Sequence, residues 1–298
     1  MAKKLGKRMR QKQVRKNKWY EYQDKSYKYI ALFATSIGVI ILGILLYDVV
    51  LDGFGRIDLK FFLDSSSRKA KNAGIYAALG GTLWIMLLTT LIAFPIGIGA
   101  GIYLEEYNKK GRLSSILEIN ISNLAGIPSI IYGLLGLEIF SRTLMMGDTA
   151  LTGALTLALL ILPIIIVSTR EALKTVPYNL REASFALGAS KWQTIWHQIL
   201  PASLPGIVTG AILAISRAIG ETAPLIVIGA ATYITSVPTW PNESFTVLPI
   251  QIFYWIGKPQ HDFQVNAAAA IIVLLGITFL MNGVAVYLRY RWQKKVKW

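Results

Sequence analysis

Six stretches of this chain keep an apolar character for the roughly twenty residues a helix needs to cross a bilayer. They lie near Tyr29–Val50, Gly74–Tyr103, Ser115–Phe140, Thr149–Ser168, Leu204–Thr232 and Asn266–Leu288. Polar segments separate them, so the pattern predicts an all-α polytopic membrane protein with six transmembrane helices. The segment 51–72, with Asp52, Asp58, Asp64, Arg68, Lys69 and Lys71, is predicted to lie outside the membrane. The segment 233–265 carries Pro238, Trp240, Pro241, Asn242 and Pro249, which argue against regular helix there. In the second span, Pro95 predicts a kink, and Gly97 and Gly101 have the small-x-x-x-small spacing that lets another helix approach closely. In the third, Gly126 and Pro128 predict a distorted helix. The N–H groups after Pro128 either face an anion or serve only the packing of small residues. Glu105 and Glu106, at the end of the second span, read as solvated loop charges.

The loop from Asn179 to Pro201 is patterned like structure. Asn179 and Glu182 have the spacing of a helix N-cap and its reciprocal partner, and Gly188 suits the left-handed residue that ends a helix. Ser190 and Gln193 repeat the capping spacing. Trp192, Ile195, Trp196 and Ile199 then form one apolar stripe, and Pro201 is expected to close the second short helix. Two short helices joined at a glycine turn suggest a docking element for another protein. An amphipathic pair lying on lipid is the alternative.

Composition agrees with a membrane protein: 54% of residues are hydrophobic and mean hydropathy is +0.48. The net charge of +15 follows the membrane and is not a nucleic-acid footprint. With six spans, 23 of the 31 Lys and Arg fall on the side shared by both termini and the 179–201 loop, and 7 on the other. Positive residues stay inside, which places that side in the cytoplasm. Residues 1–28 read as a basic, partly disordered tail ending in an aromatic belt of Trp19, Tyr20, Tyr22, Tyr27 and Tyr29, with anionic lipid as a compatible contact. Residues 289–298 form a second basic tail. The chain contains no cysteine, so disulfides and thiolate metal sites are excluded. His197 and His261 fall on opposite sides, so no metal site and no cofactor are expected. Gly6-Lys7 and Gly257-Lys258 lack the flanking residues of a phosphate-cradling loop, so if transport is powered by ATP, another polypeptide hydrolyses it.

Arg217 and Glu221 stand out inside the fifth apolar run. A charge near mid-bilayer costs about 2.5–3.5 kcal/mol on insertion scales. Four residues apart, the two share a helix face and offset part of that cost as a pair. Pro224 is expected to kink the helix beyond them. Either the pair is a structural clamp, or Arg217 lines a path where its planar fork holds a tetrahedral oxyanion, with Glu221 keeping it in place.

These motifs carry a family resemblance. Glu182, Ala183, Gly188, Leu200 and Pro201 fit the EAA loop of permease subunits of bacterial ATP-binding-cassette importers, with Ser184 and Gln198 as mild departures. Arg217 to Leu225, with Thr222, Ala223 and Pro224, resembles the phosphate branch of that family. The resemblance implies a type I ABC importer transmembrane domain over 74–288, with 29–73 holding an extra first helix and an external segment. It implies substrate-pathway residues Arg217, Glu221 and Thr222, and ATPase-coupling residues in the 179–201 loop. It also implies a bacterial inner-membrane location. The partners it implies are a cytoplasmic ATPase dimer, a second, PstC-like permease subunit, an external phosphate-binding protein and membrane lipid. A permease for sulfate, molybdate or phosphonate, and an ion-coupled secondary transporter, are the alternatives.

Overall fold

The computed structural model describes residues 2–108, 111–231 and 233–293. It divides into two units, Met1–Leu51 and Asp52–Trp298. The first is almost all of one helix, α1 (Ala2–Gly53). The backbone expected to be a partly disordered tail is therefore helical. No proline occurs before Pro95, and the basic stretch is built of Lys, Arg and Gln, all strong helix formers. Along its apolar part, the Thr35 and Ser36 hydroxyls donate to the carbonyls of Ala31 and Leu32 at 2.8 Å, which satisfies them without water.

The second unit has a 3-10 turn over Phe54–Arg56 followed by α2 (Leu59–Leu63), capped by the Asp58 carboxylate accepting from the Phe61 amide at 2.7 Å. Its long helices are α3 (Tyr76–Ile102), α6 (Ala150–Lys174), α9 (Leu200–Ile219) and α12 (His261–Gln293). Between α3 and α6 lie α4 (Arg112–Leu124) and α5 (Ser129–Gly136), the latter prolonged by a π-helical stretch to Thr143. Residues 115–124 and 129–143 form one apolar run bent by 97°. Gly126 and Pro128 thus break the third span outright. Among the described residues, five helices are long and apolar enough to cross a membrane, and the bent pair makes a sixth crossing if counted as one.

Two boundaries depart from the sequence pattern. Helix runs on from Lys191 to Ile219, so Pro201 does not close the second short helix. A π-helical turn over Ile195–Ile199 ends two residues before Pro201. Its wider hydrogen-bond spacing absorbs the missing proline N–H and the clash with the preceding turn. In the segment 233–265, α11 (Leu248–Ile256) is helical despite Pro249. Proline there occupies the first turn, where no N–H is needed. Trp255, Ile250 and Phe245 are buried, so much of this segment is core rather than surface.

The core is set by how closely the helices approach. Gly97 and Gly101 lie against α6: a methyl on Gly97 would sit 2.7 Å from Ile165 Cγ2, and one on Gly101 2.7 Å from Thr169 Cβ. Gly206 of α9 meets Ala172 of α6 as closely. The buried Ile85, Leu157, Ile161, Ile165 and Ala214 fill the space between α3, α6 and α9. Gly99, between the two contact glycines, faces open space. Gly97→Ala and Gly101→Ala should each destabilise the purified protein by about 1–3 kcal/mol through overpacking. Gly99→Ala should be neutral or slightly stabilising. Thermal unfolding in detergent measures all three, and equal melting of all three variants would refute this account of the α3–α6 contact.

Candidate functional site

The 179–201 loop folds as two helices at a turn. The first is α7 (Tyr178–Ala186), and the second, α8 (Lys191–Thr194), leads through the π turn into α9. Pro177, in extended backbone, stands at the N-cap of α7. Asn179 is therefore inside the helix and is not its cap, and Glu182 is exposed rather than folded back on the helix start. The fixed φ of proline sets the entry point one residue before Asn179. At the other end the expectation holds. Gly188 has φ +82, its amide donates to the Phe185 carbonyl at 2.9 Å, and the Ala189 amide reaches the Ser184 carbonyl at 3.2 Å. That is the Schellman closure. Ser190 and Gln193 form the expected capping box.

The apolar stripe on the second helix divides. Ile195 and Ile199 are buried against Leu173 and Val176. Trp192 and Trp196 are about half exposed and stack on one another, ring centroids 5.5 Å apart. Glu182, Ala183 and Gly188 lie together on α7 and its end, whereas Leu200 and Pro201 belong to the start of α9. Between the helices is a notch of about 400 Å3, lined among others by Ser184, Leu187, Gln193 and His197, with Leu187 90% exposed at the rim.

The acidic pair after the second span is not solvated. A π-helical turn over Tyr103–Tyr107 carries Glu105 and Glu106. Glu106 accepts from Arg181 Nη2 of α7 at 2.7 Å, and its side chain is only 8% exposed. Arg181 also donates to the Val176 carbonyl at 2.8 Å and the Leu173 carbonyl at 3.2 Å. Glu105 faces Arg170 of α6 at 3.6 Å, and Arg170 donates to Glu118 of α4 at 2.6 Å. The chain order separates these partners by 52 to 75 residues, so no local spacing pairs them. The one signal in the sequence was two adjacent carboxylates at a span end.

At the other candidate site, α9 stops at Ile219, and Gly220, Glu221 and Thr222 lead into α10 (Ala223–Ile228). The span is thus interrupted here rather than kinked at Pro224, which takes a first-turn position of α10. Arg217 Nε lies 3.5 Å from Glu221 Oε1. The pair is not fully buried: the Glu221 side chain is 15% exposed, but that of Arg217 is 47% exposed. Arg217 sits in the last turn of α9, where the helix carbonyls favour a cation. Thr222 donates back to the Gly220 carbonyl at 3.4 Å.

This break packs on the break in the third span. Gly133 of α5 meets Pro224 of α10, where a methyl would lie 2.7 Å from Pro224 Cα. Tyr132 donates to the Leu124 carbonyl at 2.8 Å, closing the bend between α4 and α5. Next to Arg217, Ser216 donates to Asn282 of α12 at 2.7 Å. The sequence did not single out Tyr132 or Asn282, because neither stands out until the helices are assembled.

Gly188 gives the loop a direct test. A side chain there meets nothing within 4 Å, so only the left-handed backbone resists substitution. Valine should strain it by about 1–2 kcal/mol, whereas asparagine tolerates that conformation. Gly188→Asn should leave thermal unfolding of the purified protein in mild detergent nearly unchanged, and Gly188→Val should lower its midpoint. Equal melting of the two would show that the left-handed turn does not constrain residue 188.

Comparison with known proteins matches this architecture. Residues 93–294 fit the family described as binding-protein-dependent transport system inner membrane component. The probable ABC transporter permease protein YqgI of Bacillus subtilis is 34% identical over 223 residues, covering 74% of this chain and 75% of that protein. The phosphate transport system permease protein PstA of Haemophilus influenzae is 34% identical over 259 residues, covering 86% and 90%. That of Yersinia pestis is 32% identical over 276 residues, covering 91% of each. A chain of a bacterial alginate ABC transporter, crystallised with an alginate pentasaccharide-bound periplasmic protein, superposes with a TM-score of 0.66 at 17% identity, over 92% of this chain and 97% of its own. A MetNI methionine ABC transporter chain in an inward-facing form gives 0.59 at 20% identity, over 73% and 97%. The broken spans, the glycine-turned loop and these matches agree: this chain belongs to the binding-protein-dependent transport system inner membrane components, among the permeases of PstA type.

Proposed function

We propose that this chain is the permease subunit through which an ATP-driven, binding-protein-dependent importer moves inorganic phosphate across a bacterial inner membrane. The observation that carries the reading is Arg217. A guanidinium nearly half exposed on a span of this apolarity faces either lipid, which is costly, or a polar path. It stands where two broken helices meet, an arrangement that membrane transporters use for binding ions near mid-membrane. Its fork suits a tetrahedral oxyanion, and Glu221 holds it while discouraging permanent lodging of the anion. Relatives at 32–34% identity bear the name of phosphate permeases, which favours phosphate over sulfate or molybdate. Thr222, adjacent to the pair, completes the pathway residues.

The same surface calls for a second permease subunit, PstC-like in type, to cover Arg217 and close the path. ATP is hydrolysed by a cytoplasmic ATPase dimer docked on Glu182, Ala183 and the Gly188 turn, with Leu200 and Pro201 fixing how α9 leaves the loop. An external binding protein delivers phosphate at the opposite end, and alternating access carries it through. The excess of Lys and Arg on one side supports cytoplasmic termini around a permease core over 74–288. In this reading residues 1–28 and 289–298 are basic cytoplasmic segments, of which 294–298 lie outside the described residues, and 29–73 is an added helix with an external segment.

Arg217→Lys keeps the charge and loses the fork, so phosphate uptake should fall at least tenfold at matched complex abundance. The double change Arg217→Gln with Glu221→Gln removes both charges, and uptake should be lost as well. Robust uptake by the double variant would make the pair a structural clamp and send phosphate by another route.

A further inference from the structure

We propose that Arg181 and Glu106 form the link through which movement of the ATPase-docking helix α7 reaches the membrane-spanning helices. The inference rests on the coupling reading of the 179–201 loop given above. None of the described side chains of α7 is buried. Its apolar contact with the bundle is Leu180, partly buried against Leu173, Val176, Ile195 and Ile199, so the directional contacts of α7 are its specific polar bonds. Ser184 ties α7 sideways to Thr194 at 2.8 Å, inside the loop itself. Arg181 carries the polar bonds that run from α7 into the bundle.

Its geometry suits that task. The side chain is 13% exposed and its partner Glu106 8%, so the pair is shielded from water and from screening by salt. One guanidinium engages two spans at once: Glu106 just after α3, and the Leu173 carbonyl in the last turn of α6, with the Val176 carbonyl just beyond it. Leu173 lies in the last turn of α6, where the helix carbonyls favour a cation independently of Glu106. Planarity fixes the direction of each bond, which a lysine ammonium cannot do. Arg181 precedes Glu182 in the chain, so any shift of α7 displaces the guanidinium with it. The π turn at Tyr103–Tyr107 brings two adjacent carboxylates to two arginines. Glu105 meets Arg170, which also holds Glu118 of α4, the helix that leads into the broken span beside Arg217. The ion pairs thus connect α7 to α3 and α6, and α3 and α6 to α4.

Arg181 is therefore a positioning residue, acting through α3 and α6 and not on substrate. The test uses the full complex of permease subunits and ATPase in proteoliposomes with phosphate-loaded binding protein. The readout is the ratio of stimulated to unstimulated ATP hydrolysis per assembled complex. Arg181→Gln should retain the ATPase subunit on co-purification, yet lower the ratio at least fivefold. Arg181→Lys should recover part of it. Glu106→Gln keeps Arg181 and its carbonyl bonds, so it should assemble even if Arg181→Gln does not, and its ratio should also fall. A residue that only stabilises the fold would reduce abundance and leave the ratio unchanged. Wild-type ratios in both Arg181→Gln and Glu106→Gln, or in Glu106→Gln alone should Arg181→Gln not assemble, would overturn the link and leave loop docking intact. A wild-type complex whose ATPase neither binds the loop nor responds to binding protein would instead remove the coupling reading itself.

Discussion

Inside a bilayer every backbone N–H and C=O must be satisfied within the protein, because lipid offers no partner. This chain nevertheless interrupts two spans, at Ala125–Pro128 and at Gly220–Thr222. The interruptions are tolerable because they face each other. Gly133 lets α5 lie against Pro224, and the Tyr132 hydroxyl serves the Leu124 carbonyl at the bend. Everything distinctive in the second unit depends on that arrangement. It leaves polar backbone and one arginine where an unbroken bundle would have only apolar side chains.

Rigid contacts surround the breaks. The glycine-mediated approach of α3 and α9 to α6 makes a tightly packed frame. Around that frame the polar contacts are few and placed at ends: Arg56 reaches Asn266 at 2.9 Å and two backbone carbonyls at one end of the bundle, and Arg170 and Arg181 tie the ends of α3, α6, α4 and α7. A frame that is stiff inside and tied by charge at its rim moves as a body when its rim is moved. That is the mechanical property alternating access requires.

Much of this was legible before the structure. Apolar runs of membrane length give the spans, and Gly188 and the Ser190–Gln193 box give the loop, because these signals are local. The break at Gly126 and Pro128 was legible for the same reason. Other features were misread where a local rule meets a competing one. Pro201 does not stop its helix because a π turn precedes it. Pro249 does not prevent α11 because it lies in the first turn. Glu105 and Glu106 are not solvated because arginines distant in sequence meet them. Pairings of that kind have no periodicity to reveal them. Arg217 was found by its cost in lipid, but its half-exposed state follows from the end of α9, which the sequence placed further on.

The central claim is that this chain passes phosphate under the control of ATP hydrolysis elsewhere in a complex. The direct measurement is uptake of radiolabelled phosphate into proteoliposomes holding the permease subunits and the ATPase, with binding protein outside and ATP inside. The account predicts accumulation that needs both ATP and binding protein and is unaffected by excess sulfate or molybdate. Accumulation driven by an ion gradient without ATP, or uptake of sulfate at the same rate, would contradict it.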